Sequence, residues 1–348
     1  MFRCLPFYVG YLESGGGMVQ TRRMKKVLLA VVLLASGAFA LPSQFQKTDR
    51  GKSVAARPTS TVIDAEQLFE DLRILSADAM EGRGAGTKGG ASARAYIVHR
   101  FADAGLKPLW QSYEQPFDLP GGEGTARKGA NVVGYVRGKA HPERFIVVTA
   151  HYDHLGIRDG KIYNGADDNA SGVAGLLQLA AHFTREPPDH SMIFAALDAE
   201  EIGLLGAYAL VKQFKAEGRD VALNVNLDMI SHNERGELYA AGAQRTTALR
   251  PLLEQVAARA PVRLLLGHDR PEEGHDDWTN QSDQYAFHKA GLPWVYFGVE
   301  DHKDYHKPSD KFDSITPAFF VHAVETILDA LKTLDANLNE ALRGNVSR

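Results

Sequence analysis

The chain has 348 residues, 44% of them hydrophobic and 24% charged, with a formal net charge of −4. That length and apolar content allow one large α/β domain or two small ones, with a sizeable core. The slightly acidic balance supplies no basic face for nucleic acid or an anionic membrane, so neither is expected as a partner.

Met24-Lys25-Lys26 precedes the apolar run Val27 to Ala35 and then Ser36-Gly37-Ala38-Phe39-Ala40. This charged start, short apolar stretch and Ala-x-Ala site read as a secretory leader cleaved after Ala40, and the run is shorter than the ~20 residues of a spanning helix. Residues 1–23 then read as an upstream extension. The single cysteine, Cys4, falls there, so the exported chain is expected to lack both disulfides and thiolate ligands. Any metal must be held by His, Asp and Glu. The expected location is the periplasm or the medium, with no membrane partner once the leader is removed.

Residues 41–60 are polar and carry Pro, Ser, Lys and Arg without apolar periodicity, which predicts a linker. Order is expected from about Val62, in one domain over 61–348. An amphipathic helix is predicted around Asp64 to Leu75, a glycine-rich loop from Glu81 to Gly90, a second helix to about Gly105, and a strand from Asn131 to Val136. The strongest strand signals are Phe145–Thr149, Met192–Leu197, Ala222–Leu227 and Trp294–Phe297, all apolar enough to be buried on both faces. Helices are predicted between them at Ser171–Phe183, Gly203–Phe214 and Thr246–Ala258, with a terminal helix from Pro317 to about Leu338. The alternation implies an α/β fold, a mostly parallel mixed central sheet flanked by helices on both faces. Ligands in such sheets gather beyond the carboxyl ends of the strands.

Acids and imidazoles recur at those ends. His151 and Asp153 follow the first strong strand, Asp198, Glu200 and Glu201 the second, and Asp228 the third. A lone acid there is usually a helix cap or a solvated loop residue; three consecutive strands delivering them to one edge point to a site. His151-Tyr152-Asp153 has the spacing of a ligating histidine with a carboxylate to orient it. Asn164-Gly165-Ala166-Asp167-Asp168-Asn169 crowds two acids into a turn before a small-residue helix, where Asp168 or Asn169 could equally be a cap. Of adjacent Glu200 and Glu201, one can hold metal while the other takes a proton from metal-activated water, although an acidic pair opening a helix is also favoured by its dipole. His302 and His306 lie together after the last strong strand, and composition does not choose between them. Imidazoles and carboxylates without thiols suit zinc, with Mn2+ or Co2+ as substitutes.

Five blocks, Thr149-Ala-His-Tyr-Asp-His-Leu-Gly156, Gly165-Ala-Asp-Asp-Asn-Ala-Ser-Gly172, Ala199-Glu-Glu-Ile-Gly-Leu-Leu-Gly206, Asn226-Leu-Asp-Met229 and Asp304-Tyr-His-Lys-Pro-Ser-Asp310, resemble metallopeptidase family 28. That family includes secreted bacterial leucine aminopeptidases, glutamate carboxypeptidase II and the glutaminyl cyclases. The resemblance runs from about Val62 to Leu338 and includes Leu75-Ser-Ala-Asp78 and Glu81-Gly-Arg-Gly84. It implies a zinc exopeptidase fold with two Zn2+: His151 and Asp228 on one, Glu201 and His306 on the other, Asp168 bridging. It also implies Glu200 as general base, Asp153 orienting His151, Tyr305 as an oxyanion donor, and a cis peptide after Asp168. Ser282-Asp283 resembles a further recurrent block. Gln281 departs from the pattern, standing where relatives often carry Arg. Gln111 to Lys128 is too short for a protease-associated insertion.

The function implied is an exported di-zinc aminopeptidase acting on peptides with a free N-terminus. A carboxypeptidase, which would want Arg or Lys such as Arg270, Lys303 or Lys307 near the metals, and a glutaminyl-cyclase-like enzyme are the alternatives on the same fold. A non-catalytic scaffold would be expected to lack ligands.

Overall fold

A computed structural model describes residues 58–120 and 127–342. The predicted leader, the upstream stretch with Cys4, and residues 41–57 of the predicted linker lie outside the described residues. Where the description begins, Ser60 already donates its hydroxyl to Glu325 at 2.5 Å.

The first helix, α1 (Ala65–Leu75), starts where Asp64 accepts the Gln67 N–H at 3.0 Å, and it buries Leu68, Phe69, Leu72 and Leu75 along one stripe. The predicted glycine-rich loop is shorter than expected. A 3-10 turn covers Asp78–Arg83 and α2 (Lys88–Asp103) has begun by Lys88, under a Thr87 cap. Gly89 and Gly90 lie within the helix, and both have to be glycine: a Cβ would stand 2.2 Å from the Met80 carbonyl oxygen and 2.5 Å from that of Gly84. Their spacing signalled close packing, not a turn.

Four strands, β1 (Lys107–Pro108), β2 (Glu114–Leu119), β3 (Arg127–Val136) and β4 (His141–His151), lead to the hairpin β5 (Ile157–Arg158) and β6 (Lys161–Ile162). Then come α3 (Gly172–Arg185), β7 (His190–Leu197), α4 (Leu205–Glu217), β8 (Asp220–Leu227), β9 (Glu237–Ala241), α5 (Arg250–Ala257), β10 (Arg263–Leu266), α6 (Gln284–Lys289), β11 (Trp294–Gly298) and α7 (Pro317–Ala341). The main sheet runs β1-β3-β7-β4-β8-β11-β9-β10, with β2 also along β3. Its centre, β7-β4-β8-β11, is parallel, while β3 and β9 enter antiparallel. Six short strands, β1, β2, β5, β6, β9 and β10, and the helix α6 lie where no element was predicted. β2 and β10 are partly exposed and leave a weak apolar signal, whereas β9 is buried on both faces but spans only five residues.

Every residue of β7 is buried. On one face Val147, Ile193, Ala195 and Leu197 pack against Leu210 and Phe214 of α4 and Phe287 of α6. Strand alternation puts Ile146, Val148, Phe194 and Ala196 on the other face, under α3, where Phe183 meets Phe194 at 6.3 Å. The chain leaves β4 for β7 on one side, then crosses back to β8 on the other. The order therefore reverses at β4, and a crevice opens beyond its last residue, His151. No described helix is long and apolar enough to cross a membrane.

Candidate active site and metal centre

Because β7, β4 and β8 are parallel neighbours, their exits deliver His151, the Asp198–Glu201 turn and Asp228 to one edge. The turn after β6 brings Asp168 across it. That turn is bolted to β8 by Asn169, whose amide donates to the Leu227 carbonyl and whose Oδ1 accepts from Gly172 and Met229. Gly172 has to be glycine, since a Cβ there would lie 2.3 Å from Asn169 Oδ1 and 2.6 Å from the Leu227 oxygen. The Asp168–Asn169 peptide is cis, at the place the resemblance implied.

Two donor groups meet at Asp168. His151 Nε2 lies 3.4 Å from Asp168 Oδ1 and 3.3 Å from Asp228 Oδ1. On the other side, His306 Nε2 lies 3.0 Å from Asp168 Oδ2 and 3.5 Å from Glu201 Oε2. The two choices left open by composition are thereby made geometrically. Asp167 points away, accepting from Ser171, Ser231 and His302, and His302 goes with it, leaving His306 beside Asp168.

Asp153 faces His151 and also reaches the acidic pair. The contact that orients His151 comes from the Asp153 carbonyl, 3.2 Å from Nδ1, while the carboxylate is 3.8 Å away. That carboxylate also accepts the N–H groups of Glu200 and Glu201 at 3.0 and 3.3 Å, holding the acidic pair over the crevice. Tyr305 stacks on His306 with centroids 3.9 Å apart and lines the same cavity as Glu200. The cavity measures about 250 Å3, and Trp278, Tyr296, Met229 and Val299 form its apolar wall.

Four contributors were not assigned from the sequence. His154, in the same block as His151, is buried with Nδ1 2.6 Å from Glu201 Oε1. Arg83 is fully buried and donates to the carbonyls of Leu75, Tyr152, Asn164 and Gly165, lashing the His151 and Asp168 loops together. Asp310 accepts from the backbone N–H groups of Asp167 and Asp168. Asp283, in the Ser282-Asp283 block, is buried behind the site with neither carboxylate oxygen bonded. Arg83 and Asp310 stood inside recognisable blocks, but which backbone groups they would reach depends on loops far apart in the chain.

The charges are lopsided. Burial lifts the Glu200 carboxyl well above its usual range, and Asp283, Asp228 and Glu201 add repulsion against the pull of His151. Asp228 is raised by burial and Asp168, again against His151. Asp283 is pushed up to about 7, chiefly by burial. For His151, burial favours the neutral ring but Asp228, Glu200 and Asp168 outweigh it, so its pKa rises well above the usual value. His154 is pushed down to about 3 by burial, with Arg83, His151 and His306 opposing its charge, so its ring is neutral and keeps a lone pair. Its Nε2 is buried without a hydrogen-bond partner, and Nδ1 and Glu201 Oε1, 2.6 Å apart, meet without hydrogen-bond geometry and have no other partner. Crowded carboxylates, a neutral imidazole and orphaned buried donor atoms are what a divalent cation would satisfy, and the donor set of imidazole and carboxylate fits zinc. His151, Asp168 and Asp228 form one group able to hold an ion, and His154, Asp168 and Glu201 a second.

Residues 131–331 match Peptidase family M28. The chain belongs to that family. Relatives aligned with it include a probable zinc metalloprotease of Pyrenophora teres f. teres, 31% identical over 183 residues (50% of this chain, 39% of the relative). Aminopeptidase YwaD of Bacillus subtilis is 29% identical over 203 residues, covering 55% of this chain and 42% of the relative. The chain thus spans half or less of the length of these curated relatives. In fold it resembles BSAP, a zinc aminopeptidase from Bacillus subtilis, with a TM-score of 0.63, 18% identity and coverage of 77% of this chain and 94% of the other. It also resembles the Porphyromonas gingivalis glutaminyl cyclase, with a TM-score of 0.62, 17% identity and coverage of 78% and 99%. M28 membership places the chain in a peptidase family beside relatives named zinc metalloprotease and aminopeptidase, and the α/β fold expected from strand and helix alternation is the one observed.

Proposed function

We propose that the protein is an exported aminopeptidase with a two-zinc centre, removing N-terminal residues from peptides. The observation that carries the reading is the sharing of Asp168 between two donor groups. His151 and Asp228 would hold one ion, and Glu201 and His306 the other, with Asp168 common to both and His154 packed behind Glu201. Zinc supplies Lewis acidity that activates water and polarises a carbonyl. The rest is the work of the chain. Glu200, held by Asp153, takes the proton of the attacking water and passes it to the leaving amine, for which a raised carboxyl pKa is suited. The Tyr305 hydroxyl donates to the oxyanion.

The choice of chain end is supported by the cavity wall. It carries Asp301 and Gln281 besides the donor acids, and no described lining residue is Lys or Arg. Arg270, Lys303 and Lys307 are not among those residues. An acidic pocket suits an α-ammonium group and disfavours a terminal carboxylate. Residues 61–348 would form the catalytic domain, uninterrupted by a protease-associated insertion.

A leucyl chromogenic amide and its N-acetylated twin, given to the zinc-loaded protein, test this directly. The free-amine compound alone is expected to be cleaved. Cleavage of neither, with zinc bound, overturns the aminopeptidase reading and sends the test to carboxypeptidase and cyclase substrates. Glu200→Gln should lower kcat by ~100-fold or more while zinc content stays unchanged; near-normal turnover refutes the base assignment. Sequencing the exported protein should find Leu41 at its N-terminus.

A further inference from the structure

Beyond the peptidase centre, a second concentration of ligand chemistry lies on the far side of Asp167. His232 follows the exit of β8, and His302 and Asp304 sit in the loop after β11. Their ring nitrogens and carboxylate offer three ligand atoms within 4.8 Å of one another. The two imidazoles stack with centroids 3.9 Å apart and planes 23° from parallel, so one ring must turn for both nitrogens to face a single ion. His232 and Asp304 are 9% and 8% exposed.

The hydrogen bonds around these groups leave lone pairs available. His302 Nε2 lies 3.1 Å from Asp167 Oδ2. Asp167 is fixed there by Ser231, through its backbone N–H and hydroxyl, and by the Ser171 hydroxyl, so its carboxylate accepts the His302 N–H. That bond assigns the proton to Nε2 and the lone pair to Nδ1. The contact of Nδ1 with the Asp304 N–H is long, at 3.3 Å. Ligating histidines are usually found with one nitrogen donating to a carboxylate in this way, and an ion at Nδ1 would displace only the long contact from the Asp304 N–H. His232 Nδ1 is buried and has no hydrogen-bond partner, and a buried nitrogen left unmatched calls for a ligand. The Ser309 hydroxyl steadies Asp304 by donating to Oδ1 at 2.7 Å. Access is open, since a cavity of about 300 Å3 bordered by His232, Asn233, Glu300, His302 and Lys303 reaches the cluster from outside.

We propose that His232, His302 and Asp304 form a site for a divalent transition-metal ion, separate from the peptidase centre. Two imidazoles and one carboxylate favour Zn2+, Cu2+ or Ni2+ over Mg2+ or Ca2+, which prefer all-oxygen shells. None of the three residues lines the peptidase cavity.

The test takes the zinc-loaded protein and titrates further Zn2+ against a chromophoric chelator, comparing wild type with His232→Gln and Asp304→Asn. Wild type is expected to hold one more equivalent per chain than either variant, or to hold that equivalent at least tenfold more tightly. Because the readout is a difference between proteins, it does not depend on how many ions the peptidase centre takes. With zinc in excess, leucyl-amide cleavage by His232→Gln should equal that of wild type, so failure of the aminopeptidase reading is visible separately. A measurement on wild type alone guards against a variant that does not fold. One equivalent of Cu2+ added to the zinc-loaded enzyme should give a paramagnetic resonance spectrum with two imidazole nitrogens. Equal zinc stoichiometry and affinity in folded wild type and His232→Gln, or a Cu2+ spectrum without nitrogen coupling, would overturn the site.

Discussion

Arg83 is the side chain whose removal should be felt most widely. Its guanidinium donates four hydrogen bonds of 2.6 to 2.8 Å to main-chain oxygens of Leu75, Tyr152, Asn164 and Gly165, and no water can replace it because the residue is 0% exposed. Burial lowers its pKa to about 10, against the attraction of Asp168, Asp310, Asp153 and Glu201, so it remains a cation at neutral pH. In Arg83→Met the Gly165 oxygen keeps the Ala170 N–H, but the other three carbonyls lose their charged donor. At about 1–3 kcal/mol for each unmet buried group, and with relief from no longer burying a cation, a net loss of about 4 kcal/mol is expected. For a domain somewhat larger than 250 residues, at roughly 2 °C per kcal/mol, Tm should fall by about 8 °C. Arg83→Lys should recover less than half of this, since an ammonium has three donors and no planar fork. The Tyr152 and Asn164 oxygens belong to segments flanking His151 and Asp168, so zinc affinity should also fall ~10-fold, as for loss of other groups that orient ligands. Calorimetry of the metal-free proteins and a zinc competition assay measure the two effects. If Arg83→Met melts within about 1 °C of wild type, or Arg83→Lys is indistinguishable from it, the accounting of donors and carbonyls is wrong.

Three further outcomes follow from single residues. Asp71, fully buried, accepts from Tyr96, Arg100 and Gln67, and Asp71→Ala, which strands the Arg100 charge, should cost about 3 kcal/mol in urea unfolding; a loss under about 1 kcal/mol would refute it. Burial, helped by Lys332, holds the His182 imidazole below its ordinary 6.5. Its folded pKa is thus below the unfolded one, so its contribution is present above pH 6.5 and lost as pH falls towards the folded value. His182→Gln should therefore flatten the acid-side fall of Tm, and parallel curves would exclude it as a source. Removing zinc with a chelator should lower Tm and abolish peptide hydrolysis, with both restored by added zinc; a Tm unmoved by chelation would mean the ion is not bound to the folded form at the concentrations used.

The α/β class was legible because strands such as Met192–Leu197 are apolar throughout and alternate with helices whose caps, Asp64 and Thr87, are local. The candidate ligands were legible as well, since His151, Glu201 and Asp228 each follow a strong strand directly, and no long-range information is needed to put them at a strand end. What composition left undecided, and only the resemblance addressed, was the choice between such neighbours as Asp167 and Asp168 or His302 and His306. Asp167 and Asp168 have the same composition and almost the same position, yet the turn bolted to β8 by Asn169 sends one carboxylate to His151 and His306 and the other to His302 and the two serines. His302 and His306 were separated by the same packing. The further contacts of Asp153 could not be read locally either, because its carboxylate also accepts backbone N–H groups 47 and 48 residues away. His154 and Arg83 carry no distinguishing pattern of their own. Their significance comes from burial among groups distant in sequence, where an unpaired nitrogen or carbonyl costs far more than it would in water. Local signals thus determined which elements form and which residues stand at their ends; only the assembled sheet and its loops decided which oxygen faces which nitrogen, since that depends on contacts the chain makes with itself across distance.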